Sequence, residues 1–275
     1  MVNTLQHLCY LLKVEEKELI NIIKNIDSFY YEKIELKTEK DGTPKLDKHG
    51  KQKKRIIHPS IKRLKVIQKR VQANILLSLE LPDYAFGAVK KRDNIKNARK
   101  HQGKKFIFTT DLKDFFPSIR HNQVFEMFRL YGFSPTVARV LTQLTTYKGK
   151  VPQGAPTSAT IANLVFVKTG KKLNVFAQQL GLTFTSFIDD LTFSAPANFK
   201  DEVQFIITTI QEDGFKVSHK KTNYKTKKPM VTGIVVKNNN LALPNTFRIK
   251  LQNTAGKTVE QINGMARYAE RVKKA

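Results

Sequence analysis

Cysteine is nearly absent from this chain: Cys9 is the single one among 275 residues. A disulfide framework and a cysteine-rich zinc site are both excluded. Long apolar runs are missing as well. None reaches the ~18 residues that a membrane-spanning helix needs, so no membrane partner is expected. The first residues, Met1-Val2-Asn3-Thr4-Leu5, lack the basic-then-apolar layout of a secretory signal, and a cytoplasmic location is the expectation. Internal repeats, low-complexity linkers and the regular strand–helix alternation of a parallel sheet are also absent. What remains, helices and strands in mixed order, favours an α+β fold with an antiparallel sheet.

Acidic residues are scarce beside basic ones, 23 against 49, and the net charge is +26. That much self-repulsion does not serve a fold by itself. A strong positive field attracts polyanions, and nucleic acid is the usual one; a merely soluble basic protein of the ribosomal kind is the bland alternative. Hydrophobic residues make up 40%, enough for a sizeable core, and the length suits one large domain or two to three packed subdomains. With 26% charged residues, wholesale disorder is not expected.

Apolar residues at helical spacing over residues 5–26 (Leu8, Leu11, Leu12, Leu19, Ile22, Ile23) predict one or two short helices. Residues 33–55 are very basic and carry the turn signals Asp41-Gly42 and His49-Gly50, which fits two strands flanking a mobile loop. A helix is predicted over 60–79, with Leu64, Ile67, Val71, Ile75 and Leu79 on one face. Its Lys62, Lys65, Lys69 and Arg70 fit a solvated face and a nucleic-acid-facing one about equally. Phe106-Ile107-Phe108-Thr109-Thr110 reads as a buried strand ending at Asp111. Helices are expected over 119–131 and 135–146. After the Gln153-Gly154-Ala155-Pro156 loop, Thr157 or Ser158 can cap a helix that stops at Gly181. Residues 183–187 and 191–194 predict strands around a tight Ile188-Asp189-Asp190 turn. A helix over 199–214 and a strand over 230–236 follow, and the last residues read as helix.

Three carboxylates in two places carry the chemistry. Asp111 ends a buried strand, and Asp189 and Asp190 sit side by side at a hairpin turn flanked by Phe187, Leu191 and Phe193. Adjacent ionised carboxylates repel, and burying them is costly unless a cation is present. Two Mg²⁺ ions held there would activate a 3′-hydroxyl or its equivalent and stabilise leaving pyrophosphate. For an Asp-Asp pair taken alone, an exposed turn is the better reading; the surrounding motifs reverse that.

Thr109-Thr110-Asp111-Leu112-Lys113-Asp114-Phe115-Phe116 resembles motif A of reverse transcriptases. Val151-Pro152-Gln153-Gly154-Ala155-Pro156-Thr157-Ser158 resembles motif B. Phe187-Ile188-Asp189-Asp190-Leu191 resembles motif C, with Phe187 where Tyr is usual. Gly214-Phe215 with Lys220-Lys221-Thr222 resembles motif D, and Arg55-Ile56-Ile57-His58-Pro59 the fingers motif that meets the triphosphate. Each alone is weak to moderate, but the ordered set is specific, and it covers residues 31–243. Asn97-Ala98-Arg99-Lys100-His101 matches the Asn-Ala-x-x-His motif of retron reverse transcriptases, and Val231-Thr232-Gly233 their Val-Thr-Gly motif. Ala159 stands where many relatives have Pro.

The resemblance implies a right-hand polymerase. Residues 1–30 would be an N-terminal helical segment and 31–104 the fingers. Residues 105–236 would be the palm with fingers elements interleaved, a small antiparallel sheet backed by helices, and 237–275 the primer-grip end with a short or truncated thumb. Asp111, Asp189, Asp190 and the Leu112 carbonyl would hold two Mg²⁺, with Mn²⁺ as a substitute. Phe116 would lie under the sugar of the incoming nucleotide and exclude a 2′-hydroxyl. Gln153 and Gly154 would floor the nucleotide site. Arg55, with Lys51, Lys53 or Lys54, would grip the triphosphate. Lys220 or Lys221 would serve pyrophosphate. Asn97, His101, Val231, Thr232 and Gly233 would frame or contact RNA, although His101 also reads as a satisfied structural histidine.

The implied partners are a structured noncoding RNA that serves as template and primer, its DNA product, deoxynucleoside triphosphates and an effector protein. The implied product is branched multicopy single-stranded DNA, made within an antiphage module. Two rivals stand beside this reading: a nucleic-acid scaffold with an idle polymerase core, and an untemplated DNA polymerase of the abortive-infection type.

Overall fold

The computed structural model describes residues 2–39, 43–47 and 49–275. In chain order it contains α1 (Leu5–Leu12), α2 (Glu16–Lys24), β1 (Lys33–Leu36), β2 (Lys54–Ile57), α3 (Lys62–Asn74), α4 (Asn94–Lys100), β3 (Phe106–Asp111), α5 (Phe115–Ser118), α6 (His121–Leu130), α7 (Pro135–Thr145) and α8 (Ser158–Gln179). There follow β4 (Thr183–Phe187), β5 (Asp190–Ala195), α9 (Val203–Glu212), β6 (Asn223–Lys225), β7 (Met230–Val231), β8 (Ile234–Val236), β9 (Leu241–Ala242), α10 (Asn245–Gln252) and α11 (Val259–Lys273). Mixed helices and antiparallel sheets make this an α+β fold, as the residue order suggests. Among the described residues no helix is long and apolar enough to cross a membrane. The chain divides into two compact units, one of Met1–Lys37, Lys45–Pro82 and Asp114–Lys168, the other of Thr38–Pro44, Asp83–Lys113 and Thr169–Ala275.

The first unit is mainly helical. Thr4 starts α1 by accepting from the His7 N–H at 3.2 Å, and Ser134 caps α7, with Pro135 opening its first turn. Leu8, Leu12, Leu19, Leu64, Ile67, Val71, Leu141 and Leu144 form its buried core. Helix α3 ends at Asn74, earlier than its apolar pattern predicts. Ile75 leaves helical geometry at φ −125°, ψ −63°, and a 3₁₀ turn (Leu76–Ser78) keeps Ile75 and Leu76 inside. Strands β1 and β2 pair antiparallel, with Leu36 opposite Lys54. The basic segment between them is hydrogen-bonded where a mobile loop is expected: Leu46 bridges Gln52, and the Lys53 N–H donates to the Lys45 carbonyl at 2.7 Å. Gly50 takes a left-handed φ of 76° in the His49-Gly50 turn, whereas Asp41-Gly42 lies outside the described residues. At the start of α8, Ser158 donates to the Pro152 carbonyl at 2.6 Å instead of capping. The Thr157 hydroxyl is buried without a partner among the described residues.

The second unit is built on a four-stranded antiparallel sheet in the order β4-β5-β3-β6. Successive strand side chains alternate between faces, so Phe108, Phe184 and Phe193 share one face. Their rings stack at 4.5 Å between Phe184 and Phe193 and 6.1 Å between Phe193 and Phe108. Tyr84 extends this stack, 5.1 Å from Phe184. Gly170 in α8 leaves room for the Tyr84 ring, since a Cβ there would sit 2.5 Å from the Tyr84 hydroxyl oxygen. The opposite face carries Asp111, Thr109, Asp190, Thr192, Ser194 and Thr185, polar residues joined there by Ile107 and Phe187.

A second core joins Ile95 and Ala98 of α4, Ile107 of β3, Val231, Ile234, Val236 and Leu241 of the β7-β8-β9 sheet, and Ala269 and Val272 of α11. One expectation is corrected here. Residues 230–236 are not one strand. They form a hairpin, β7 to β8, with Val231 opposite Ile234 and Thr232-Gly233 as its two-residue loop. Both loop residues have positive φ, 44° and 84°, the requirement of a type I′ turn that only glycine meets without strain.

Candidate active site

The carboxylates meet at one end of the four-stranded sheet. Asp111 is the last residue of β3 and pairs directly with Asp190, the first of β5. Phe187 pairs with Asp190, leaving Ile188-Asp189 as the hairpin loop. Ile188 has φ 60°, and Asp189 has no positive φ, the pattern of a type II′ turn. Glycine usually fills that first position, so a β-branched residue there is strained. The Leu112 N–H ties the turn to the end of β3 by donating to the Asp189 carbonyl at 2.8 Å, and the Ser218 N–H holds the Asp111 carbonyl at 2.8 Å.

Residues 84–87 brace the turn from outside, through hydrogen bonds from the Phe86 N–H to the Ser186 carbonyl (2.7 Å) and from the Ser186 N–H to the Tyr84 carbonyl (2.8 Å). Gly87 abuts the turn itself. A Cβ there would lie 2.7 Å from the Ile188 nitrogen and 2.9 Å from the Phe187 carbonyl carbon. Sequence reasoning missed Gly87, because a lone glycine gives no sign of what approaches it.

Electrostatics follow from this crowding. Asp190 is pushed up to about 6, first by burial of its carboxyl and then by Asp189 and Asp111, against a smaller opposing pull from Lys221. Asp190 keeps an exposed edge, so its carboxyl is crowded and not sealed from water. Lys221, not Lys220, is the cation at the site: its ammonium is paired with the Asp111 carboxylate. Partial burial works against the Lys221 charge. The Asp111 hydrogen bond and the fields of the three carboxylates outweigh that, and its pKa is raised.

Among the described residues, no group of three or more His, Cys, Asp or Glu side chains is gathered so as to hold a metal ion. The donor chemistry nonetheless fits a hard divalent cation: Asp189 and Asp111 are close enough to disfavour the charge on Asp190, and the Lys221 ammonium pairs with Asp111. A divalent cation held there would supply to Asp111 the positive charge that the Lys221 ammonium supplies here.

A groove of about 520 Å³ runs from this end of the sheet to the Thr232-Gly233 turn, lined by Phe187, Asp190, Lys221, Thr232 and Gly233 among others. The two short motifs that flank the core touch each other beside it. Asn97 Nδ2 donates to Thr232 Oγ1 at 3.3 Å; Asn94 Nδ2 donates to the Thr232 carbonyl at 3.2 Å and to the Tyr268 hydroxyl at 2.7 Å. Asn94 went unnoticed in the sequence because its partners are remote in the chain.

His101 lies fully buried between Ser194 Oγ and Thr185 Oγ1, each 2.7 Å from a ring nitrogen. Burial, with a lesser contribution from Lys104, lowers its pKa to about 3, so it stays neutral. Of the two roles expected of Asn97, His101 and Val231, framing RNA or contacting it, their side chains fit the first, and His101 sits as the satisfied structural histidine that the sequence also allows. All three are buried, and they anchor α4 and the hairpin. Thr232 and Gly233 do reach the surface.

Of the residues expected around a nucleotide, Arg55, Phe116, Gln153 and Gly154 lie in the first unit and Lys221 in the second. Arg55 is exposed on β2. The strand it belongs to packs on the Gln153-Gly154 loop: the His58 N–H donates to the Gln153 carbonyl at 2.8 Å, and a Cβ on Gly154 (φ 101°) would meet Pro59 Cγ at 3.3 Å. Phe116 is half-buried in α5, its ring 5.9 Å from that of the buried Phe115. The structure thus brings Arg55, Gln153 and Gly154 together in one unit, and Asp111, Asp189, Asp190, Lys221, Thr232 and Gly233 in the other.

Comparison with known proteins agrees with this geometry. The family model described as reverse transcriptase (RNA-dependent DNA polymerase) matches residues 44–236. The retron Ec86 reverse transcriptase of Escherichia coli is 35% identical over 196 residues, covering 70% of this chain and 61% of that protein. The retron Se72 reverse transcriptase of Salmonella heidelberg is 31% identical over 247 residues, covering 86% and 62%. The retron Mx162 reverse transcriptase of Myxococcus xanthus is 30% identical over 263 residues, covering 78% and 54%. The match thus spans between about half and three fifths of these relatives. The chain belongs to the reverse transcriptase (RNA-dependent DNA polymerase) family, and to its retron type.

Proposed function

We propose that this chain is the RNA-directed DNA polymerase of a retron, copying a structured noncoding RNA into branched multicopy single-stranded DNA. One observation carries the reading: Asp111 stands opposite Asp190 at the end of an antiparallel sheet, with Asp189 in the adjoining two-residue turn. Three neighbouring carboxylates, with the Lys221 ammonium paired to Asp111, are a poor stabilising device but a good receptacle for divalent cations. Reverse transcriptases generally use such ions, and Mg²⁺, with Mn²⁺ as a substitute, suits the all-oxygen donor set. When bound, they supply charge stabilisation to the attacking and leaving oxygens.

The chain's own residues do the rest. Asp111, Asp189, Asp190 and the Leu112 carbonyl would hold the cations. Lys221, paired with Asp111, places an ammonium beside the site that can donate a proton to pyrophosphate. Arg55 grips the triphosphate, Gln153 and Gly154 support the nucleotide from below, and Phe116 occupies the space a 2′-hydroxyl would need. In this reading residues 31–104 act as fingers, 105–236 as palm, and 237–275 as primer grip and thumb, after an N-terminal helical segment. Thr232 and Gly233, lining the groove beside Asp190, face the nucleic acid. An effector protein held in check by enzyme and product would complete an antiphage module.

Purified protein should extend a DNA primer on an RNA template when Mg²⁺ is present and stop when it is chelated. Sequencing of co-purifying nucleic acid should return one structured RNA joined to DNA. No extension with any divalent cation, or a random nucleic-acid population, overturns the proposal.

A further inference from the structure

The motif Asn97-Ala98-Arg99-Lys100-His101 divides by face. Asn97, Ala98 and His101 are buried, and with Asn94 they follow the i, i+3, i+4, i+7 spacing of one helix side. Lys96, Arg99 and Lys100 fall on the other side and are exposed. They form one wall of a groove of about 640 Å³ whose other wall is Lys90 and Lys91. This groove shares no lining residue with the one beside Asp190.

Its floor is fixed. Arg92 bonds the Ala85 carbonyl at 2.6 Å and Asp83 at 2.9 Å, and lies 5.8 Å over the ring of the buried Phe86. The lysine-bearing loop is held as well: Ala88 and Lys91 adopt left-handed φ of 55° and 63°, and Lys96 Nζ reaches the Lys91 carbonyl at 2.8 Å. Asp83, the one acid of the groove, is taken by Arg92. Among the described residues, Lys90, Lys91, Arg99 and Lys100 make no ion pair.

We propose that this groove is a second nucleic-acid site, separate from the polymerase groove, that holds the sugar–phosphate backbone of an RNA duplex. It rests on the reading of the substrate as a structured RNA, and deepens it by naming the surface that docks a stem. Arg99 and Lys100 suit the last turn of the helix, and Asp93 lies near Lys96, but no acid answers Lys90, Lys91, Arg99 and Lys100 across the groove, which leaves a concentrated positive surface for an anion. The groove offers no exposed aromatic ring on which a base could stack, since Phe86 is buried. Single-strand recognition relies on such platforms, whereas duplex RNA is held through phosphates and 2′-hydroxyls. In this arrangement Asn97, Ala98 and His101 fix the helix, and the two residues between them, Arg99 and Lys100, meet the ligand.

The test uses the full chain and the variant Lys96→Gln/Arg99→Gln/Lys100→Gln, with Lys90→Gln/Lys91→Gln as an independent second variant. Binding of a 20-base-pair RNA duplex, the same duplex as DNA, and the single strands is measured across a salt series. Either variant should weaken duplex RNA binding. The slope of log K against log salt should become shallower by about 2 to 3 units for the triple variant, as about three phosphate contacts are lost. An equal change on DNA assigns the effect to phosphates alone, and a change confined to RNA adds the 2′-hydroxyl; both support the site. Unchanged duplex affinity and slope in both variants, or a loss confined to single strands, overturns it. Primer extension on a simple RNA template is followed in parallel. If extension persists while duplex binding is unchanged, the second site is refuted and the polymerase reading stands; if the unaltered protein extends no primer, the polymerase reading itself fails.

Discussion

At the residue scale, two side-chain substitutions separate chemistry from binding. Asp189 and Asp190 lie in and beside a surface turn, so replacing both by Ala should leave the sheet and RNA binding largely intact. DNA synthesis should fall by about 10²-fold or more, because the groups that hold charge at the reacting atoms are gone. A gel assay of primer extension, with RNA affinity measured alongside, decides it; full activity in the double variant would remove the carboxylates from the mechanism. Phe116 is half-buried, and its ring is not locked in the core as that of Phe115 is. Phe116→Val should therefore fold and admit ribonucleotides. The ratio of ribo- to deoxynucleotide incorporation at matched concentration is the readout, and an unchanged ratio moves the sugar gate elsewhere. The three aspartates were legible in the sequence because their motifs are short and contiguous. The Lys221–Asp111 pair was not, because the two residues are 110 positions apart.

At the element scale, the catalytic turn depends on neighbours that carry no chemistry. Gly87→Ala would put a Cβ against the Ile188 nitrogen, where backbone cannot yield cheaply. The turn bearing Asp189 must then shift, and a displacement of about 1 Å can cost about 10²-fold in rate. Activity should fall sharply while RNA affinity holds; a fully active Gly87→Ala would show that the turn tolerates the displacement. Helix α4 is tied to the sheet by His101, whose buried ring resists protonation down to about pH 3. The unfolded chain takes up that proton near the ordinary histidine value. Stability from this group is thus complete above about pH 6.5 and declines by about 1.4 kcal/mol per unit as pH falls toward 3. Denaturant midpoints between pH 7 and 4 should show a shallower pH dependence in His101→Gln than in the parent, and parallel curves would refute the burial argument. The sequence suggested a strand over 230–236 because Val and Ile dominate it. The hairpin turns at Thr232-Gly233, both at positive φ; Gly233 takes it freely and the β-branched Thr232 at a cost, a choice that pattern alone does not reveal.

At the scale of the whole molecule, a net charge of +26 makes ionic strength the main control on affinity. If about six phosphates of a single strand are neutralised, log K should fall with log salt at a slope of roughly −4 or steeper. A filter-binding series returning a nearly flat line would mean that the basic surface is not the binding surface. The α+β class was legible from the irregular order of elements, whereas length left one large domain and two to three subdomains equally open. How the chain is shared between the two compact units was not legible, because each collects segments distant in sequence, with the first taking residues from before and after β3.

The amino-acid sequence by itself determined what is local: the helix and strand periods, the three aspartates, the glycine-bearing loops and the excess of positive charge. Tertiary structure alone decided which of these residues are anchors and which face solvent. Asn97 and His101 look like recognition residues when the chain is read in line. Packing turns them inward onto Thr232, Ser194 and Thr185, and turns Arg99 and Lys100 outward. Burial and long-range hydrogen bonding depend on what the fold brings against a residue from far along the chain, and no local pattern encodes that neighbour.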